Sequence, residues 1–198
     1  MREIKELFVA VTGASGAIYA DRLLRKAVGL VPRIDLVLST HGAEIAAHEL
    51  GWGMNFDSLQ LAGPPANVLS HVRLCHPDDL SSRYASGSAA PDAMIIIPAS
   101  LNVCGRICAG LGDSLITRAA AVCLKERRPL VLVVREAPFS LIDLRNFTCL
   151  TEAGAVIMPA NPAFYANPKS IEEMADFFVA RVLDQIGLRV EHPGRWGV

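Results

Sequence analysis

Leu7-Phe8-Val9-Ala10-Val11-Thr12-Gly13-Ala14-Ser15-Gly16-Ala17-Ile18-Tyr19 is an apolar run that breaks into a loop of small residues and resumes with a helical pattern. Glycine lets the backbone turn sharply, and the first N–H groups of the following helix have no partner within the helix. They face whatever enters the loop, so the turn suits an anion such as a phosphate. Taken alone, it fits a purely structural strand-to-helix turn equally well. A dinucleotide fold would carry G-x-G-x-x-G here and an acidic residue ending the second strand. This chain has Gly13 and Gly16 flanking Ala14-Ser15, and its second apolar run, about Arg33 to Leu38, ends in Ser39-Thr40. A hydroxyl at that end can donate to a phosphate, whereas an aspartate repels one. These residues speak against NAD. A P-loop is excluded because no Gly-Lys-Ser/Thr follows the turn.

The rest of the chain repeats the pattern. Helical stretches near Ala17 to Val28, Gly42 to Leu50, Leu101 to Ala109, Ser114 to Lys125 and Leu141 to Glu152 alternate with apolar strands at Ala93 to Ile97, Leu130 to Val134 and Ala155 to Met158. A further short strand is expected near Val68 to Leu74. The last helix, Ser170 to Ile186, opens on Ser170 with Glu173 three residues on, the pattern of a capping box. Repeated strand-then-helix order predicts an α/β fold, a single doubly wound parallel sheet. Gly51 to Ser70 holds glycines, prolines and little periodicity, and reads as a loop excursion. With 198 residues and no internal repeat or linker, residues 1–198 are expected to form one domain.

Composition narrows the function. A net charge of -1 gives no long-range attraction to nucleic acid or to an anionic membrane surface. A hydrophobic content of 52% and mean hydropathy of +0.34 are high for a chain of this length, so apolar surface buried between copies, a homo-oligomer, is expected. Neither a signal peptide nor a membrane span is visible, which points to the cytoplasm. Five cysteines, Cys75, Cys104, Cys108, Cys123 and Cys149, lie mostly in apolar stretches and read as reduced thiols. Cys104 and Cys108 share a helix face without a second ligand pair at zinc spacing, and His71 and His76 flank Cys75 only loosely. No metal site is expected.

In doubly wound sheets, ligands sit at the carboxyl ends of the strands. Those ends gather Gly13-Ala14-Ser15, Ser39, Pro98-Ala99-Ser100-Leu101-Asn102, Arg135-Glu136 and, past Met158-Pro159, Tyr165. Hydroxyls, backbone N–H groups, an amide and a guanidinium together suit the single phosphate and ring edge of flavin mononucleotide (FMN).

At these residues the chain resembles the UbiX/Pad-type flavin prenyltransferases. The matching segments are Thr12 to Tyr19, Ser86-Gly87-Ser88, Leu115 to Ala120 with Leu124 to Leu130, Val134 to Pro138, Pro162 to Tyr165, and Arg181 to Gln185. They follow the family's order along nearly the whole chain. The resemblance implies a Rossmann-like flavoprotein that joins a dimethylallyl group from dimethylallyl phosphate to reduced FMN. The product, prenylated FMN, serves a UbiD-type decarboxylase. It also implies that Gly13, Ala14, Ser15, Ser39, Ser100, Leu101, Asn102, Val103 and Arg135 hold FMN, and that Tyr165, Arg181, Lys125 and Arg118 hold the prenyl phosphate. Glu49, Lys125 and Glu136 carry the chemistry, and the assembly is a dodecamer. Asp78-Asp79 lacks the third aspartate of magnesium-dependent prenyltransferases, in keeping with a metal-free clamp of cations. Gly51 to Asp79 departs from the family pattern, and Ala89 stands where the family has an aromatic. The stretch from Pro98 to Asn102 is also similar to flavin-dependent cysteine decarboxylases, the alternative enzyme. A non-catalytic flavin delivery protein is the third reading.

Overall fold

The computed structural model describes residues 3–191; the chain's first two and last seven residues, included in the expected single domain, lie outside them. The opening apolar run forms β1 (Glu6–Val11), followed by α1 (Ala17–Ala27), β2 (Arg33–Leu38) and α2 (Thr40–Leu50). The excursion after α2 is not featureless. It folds as a small antiparallel hairpin, β3 (Gly53–Asn55) with β4 (Gln60–Ala62), and a single helical turn, α3 (Ala66–Leu69). That turn takes the first residues of the strand expected from Val68, so β5 starts late, at Val72, and runs to Cys75. Two 3-10 turns (Arg83–Ala85 and Gly87–Ala89) lead to β6 (Ala93–Ala99) and α4 (Leu101–Cys108). Then come α5 (Leu115–Lys125), β7 (Leu130–Val134), α6 (Leu141–Glu152), β8 (Val156–Pro159) and α7 (Ile171–Gln185).

Six strands pair in parallel in the order β5-β2-β1-β6-β7-β8. Apolar residues on both faces explain why the strands read as unbroken hydrophobic runs. Along β1, Leu7, Val9 and Val11 join the core beneath α1 and α7, while Phe8 and Ala10 face the core beneath α4 and α5. From β1 the order steps outward to β2, and from β6 it steps the other way to β7. The loops leaving β1 and β6 therefore diverge and open a crevice at the carboxyl edge.

One buried carboxylate, Asp35 in β2, pins the less regular side of the sheet. It accepts hydrogen bonds from Arg33 (2.8 Å), Arg73 of β5 and the Tyr84 hydroxyl. A buried charge survives only when paired in this way. Here the pairing joins β2, β5 and the first 3-10 turn.

Candidate active site

Thr12, absent from the sequence-derived set, fixes the crevice. Its hydroxyl donates to the Pro98 carbonyl (2.9 Å) and accepts from the Ser100 N–H (2.8 Å), stitching the end of β1 to the end of β6. The glycine loop is thereby held against Ser100 to Val103. Gly16 takes a left-handed conformation, φ 109°, that favours glycine. Gly13 lies so close to α2 that a side-chain carbon on it would stand 2.8 Å from His41 Cβ.

The N–H groups opening α1, which the sequence alone would reserve for a phosphate, already have an anion. The Glu49 carboxylate, arriving from the far end of α2, accepts from Gly16 N (2.9 Å) and Ala17 N (2.8 Å). Burial would push this carboxyl up, but hydrogen bonds from the Ser15 hydroxyl and the two N–H groups, with the Arg135 charge nearby, outweigh it and hold it below the usual value. Arg135, leaving β7, donates from Nε to the Ser15 carbonyl (3.0 Å). Gly16 is packed between the Arg135 stem and the Tyr19 ring, 3.6 and 3.1 Å from where its side chain would be. Burial raises the Tyr19 phenol and the Arg135 charge partly offsets it. Ser15, Glu49 and Arg135 thus meet at one point.

Donors for a phosphate remain beside it. Ser39 caps α2, accepting from Gly42 N (3.0 Å), and Ser100 caps α4, accepting from Val103 N (3.3 Å). The first N–H groups of α4, on Leu101 and Asn102, have no partners inside the helix. Glycine where a side chain would collide, two serine caps and a guanidinium form a cradle that fits FMN. Next to it a cleft of about 390 Å³ is lined by Arg135, Glu136, Phe139 and Asn161 among others. The Glu136 carboxylate accepts from Ala137 N (3.0 Å) at its mouth.

Tyr165 packs edge-on against Phe177, centroids 5.4 Å apart. Arg181 follows Phe177 by four residues on α7, so it shares that helix face one turn along. Both side chains are largely exposed, and Arg181 reaches Asp184 at 3.4 Å.

Lys125 and Arg118 are different. They lie on α5, which runs back from the carboxyl edge of the sheet and ends at the edge where the strands begin. Arg118, in the first turn of α5, donates from Nε to the Ala85 carbonyl (3.0 Å), and at the helix's far end a side-chain carbon on Gly87 would sit 3.0 Å from Lys125 Cε. A single copy joins these two cations to the Ser86-Gly87-Ser88 turn, not to the glycine loop.

Among the described residues no group of three or more His, Cys, Asp or Glu side chains could hold a metal ion. No helix among them is long and apolar enough to cross a membrane. His71 bonds the Asn67 carbonyl (2.8 Å), and His76 accepts from Asp78 N (3.2 Å) and packs on Phe56; neither belongs with Cys75 to a group that could hold a metal ion.

The Flavoprotein family profile matches residues 1–183. A flavin prenyltransferase UbiX of Thermoplasma acidophilum is 40% identical over 190 residues, covering 96% of this chain and 99% of its own. Among solved structures, the UbiX-type protein AnUbiX (PadA1), in complex with FMN and dimethylallyl pyrophosphate, superposes with a TM-score of 0.87 at 36% identity over 98% of both chains. A dodecameric FMN-dependent UbiX-like decarboxylase from Escherichia coli O157:H7 gives 0.84 at 36% identity, covering 98% of this chain and all of its own.

Proposed function

The chain belongs to the Flavoprotein family and, within it, to the UbiX flavin prenyltransferases, and from that membership we propose that it transfers a dimethylallyl group to reduced FMN. The observation that carries this reading is the meeting of Ser15, Glu49 and Arg135 at the mouth of a crevice bordered by the serine caps of α2 and α4.

FMN, as substrate, would lie with its phosphate on Ser39 and the α4 N-terminus and its ring toward Glu49. Gly13, Ala14 and Ser15 leave room for it, and Arg135 borders both FMN and the prenyl phosphate. As the allylic C–O bond breaks, negative charge grows on the phosphate oxygens, and cations fixed in advance stabilise that state. Arg135 and Arg181, with the Tyr165 hydroxyl, serve this purpose. Glu49 stays ionised at neutral pH and sits where it can steady positive charge or take up a proton; Glu136 is the second carboxylate at the cleft.

Lys125 and Arg118 belong to the same clamp only if they come from an adjoining copy. That arrangement agrees with the dodecameric assembly of the E. coli relative. A homo-dodecamer of shared sites is therefore part of the proposal. So are prenylated FMN delivered to a UbiD-type decarboxylase and a cytoplasmic location, the latter suiting five free thiols.

The test is turnover with dimethylallyl phosphate against dimethylallyl pyrophosphate, each with and without EDTA. Metal-independent transfer from the monophosphate is expected. Loss of transfer in EDTA with recovery on adding magnesium would overturn the metal-free clamp, and decarboxylation of a cysteine peptide without prenyl transfer would favour the alternative enzyme.

A further inference from the structure

Two thiols that the flavin chemistry leaves unused meet on the face of the sheet opposite α1 and α7. Helices α4 and α6 each follow a strand of one parallel sheet, so they run in the same direction. They approach closely where Gly105 meets Asn146: a side-chain carbon on Gly105 would stand 3.3 Å from Asn146 Nδ2. Three residues further along each helix come Cys108, partly buried, and Cys149, exposed. The two thiols lie close enough that each feels the other, and Cys149 raises the Cys108 pKa. A disulfide needs Cα atoms about 4.4–6.8 Å apart, and a glycine one turn earlier allows the helix axes to come that near.

We propose that Cys108 and Cys149 are a reversible thiol–disulfide pair, oxidised by low-molecular-weight disulfides. Cys149, the exposed partner, attacks one sulfur of the small disulfide as thiolate and expels one small thiolate, giving a mixed disulfide. Cys108 then gives up its proton and attacks the Cys149 sulfur, expelling the second thiolate. The two protons lost by the protein thiols end on the two small thiols released, and the small disulfide has taken the two electrons. Cys149 beside it, and then burial, raise the Cys108 pKa, so the exposed Cys149 is the thiol assigned the first attack. The other three thiols do not compete. Cys75, Cys104 and Cys123 are buried, and burial pushes them up to about 11, 12 and 12. Closing the bond would tie α4 to α6, the helices that follow the Ser100 and Arg135 loops of the crevice.

Native full-length protein treated with oxidised glutathione, alkylated and mapped by mass spectrometry tests this. The expected result is a peptide containing Cys108 joined to one containing Cys149, released by dithiothreitol. Cys108→Ser should instead accumulate glutathione on Cys149, because nothing remains to resolve it. A lasting glutathione adduct on wild-type Cys149 with Cys108 still open to alkylation would overturn the proposal. So would a Cys149–Cys149 link between copies, or both thiols staying free under the same treatment.

Discussion

Glu49, given a chemical role in the proposed reaction, also holds the start of α1. Its carboxylate caps that helix, and an anion at a helix N-terminus contributes roughly 0.3–1 kcal/mol when exposed to solvent. Its pKa is depressed from the ordinary 4.5, so the contribution is complete above that value and disappears as pH falls through the lower folded-state value. Glu49→Gln should therefore unfold at lower temperature than wild type at pH 7, with the two melting curves converging in acid; a gap independent of pH would mean that ionisation is not involved. Tyr165 and Arg181 carry a separate expectation. Losing a charge-assisted contact typically costs about 1.5–3 kcal/mol, roughly one to two decades in kcat/KM. Arg181→Ala should lose that much toward dimethylallyl phosphate, and Tyr165→Phe less, with FMN affinity kept in both. Equal losses of flavin affinity and turnover would remove them from the prenyl-phosphate site. The resemblance puts Glu49 among the expected site residues, but its capping of α1 was not legible in the sequence. The contact spans 33 residues and that of Arg135 with Ser15 spans 120, and local sequence pattern carries no record of such pairings.

The helix starts do double duty, because capping serines also border the crevice. Ser140 offers a control: it forms a reciprocal capping box with Asp143 on α6 and is not among the serines assigned to FMN. Replacing either Ser100 or Ser140 with alanine should reduce stability by about 1 kcal/mol, read by denaturant unfolding. Only Ser100→Ala should also weaken FMN binding in a fluorescence titration; parallel weakening in both would reduce the Ser100 role to folding. Apart from β5, which starts four residues later than expected, the expected strands and helices were legible to within a residue or two, β2, β7 and α6 at both ends, because buried strands and capped helices follow from local chemistry. The exceptions are instructive. Ser170 caps α7 as expected, but Glu173 returns to the Lys169 N–H (2.7 Å) rather than to the N–H of Ser170. The pair β3–β4 was missed since three-residue strands leave no alternation to detect, and their pairing depends on the turn between them.

The assembled protein raises a question that one copy leaves open, since Lys125 and Arg135, assigned to a single clamp, lie at opposite edges of the sheet. If neighbouring copies share sites, Lys125→Ala and Arg135→Ala should each be inactive alone. Co-expressed as a mixed assembly they should regain part of the wild-type rate, because some sites receive both intact residues. Mixed assemblies that stay inactive would confine each site to one copy. The topological crevice was legible from strand order alone; the division of the cations was not, because the direction of α5 becomes visible only once the sheet is assembled. Underlying all of this is the claim that the crevice joins a prenyl group to a flavin. The direct measurement is anaerobic incubation of the protein with reduced FMN and dimethylallyl phosphate, followed by mass spectrometry of the released flavin. A flavin heavier by one dimethylallyl-derived unit, formed by wild type and lost in Arg135→Ala, is the predicted result; unmodified FMN recovered from a folded, flavin-loaded wild-type protein would contradict it.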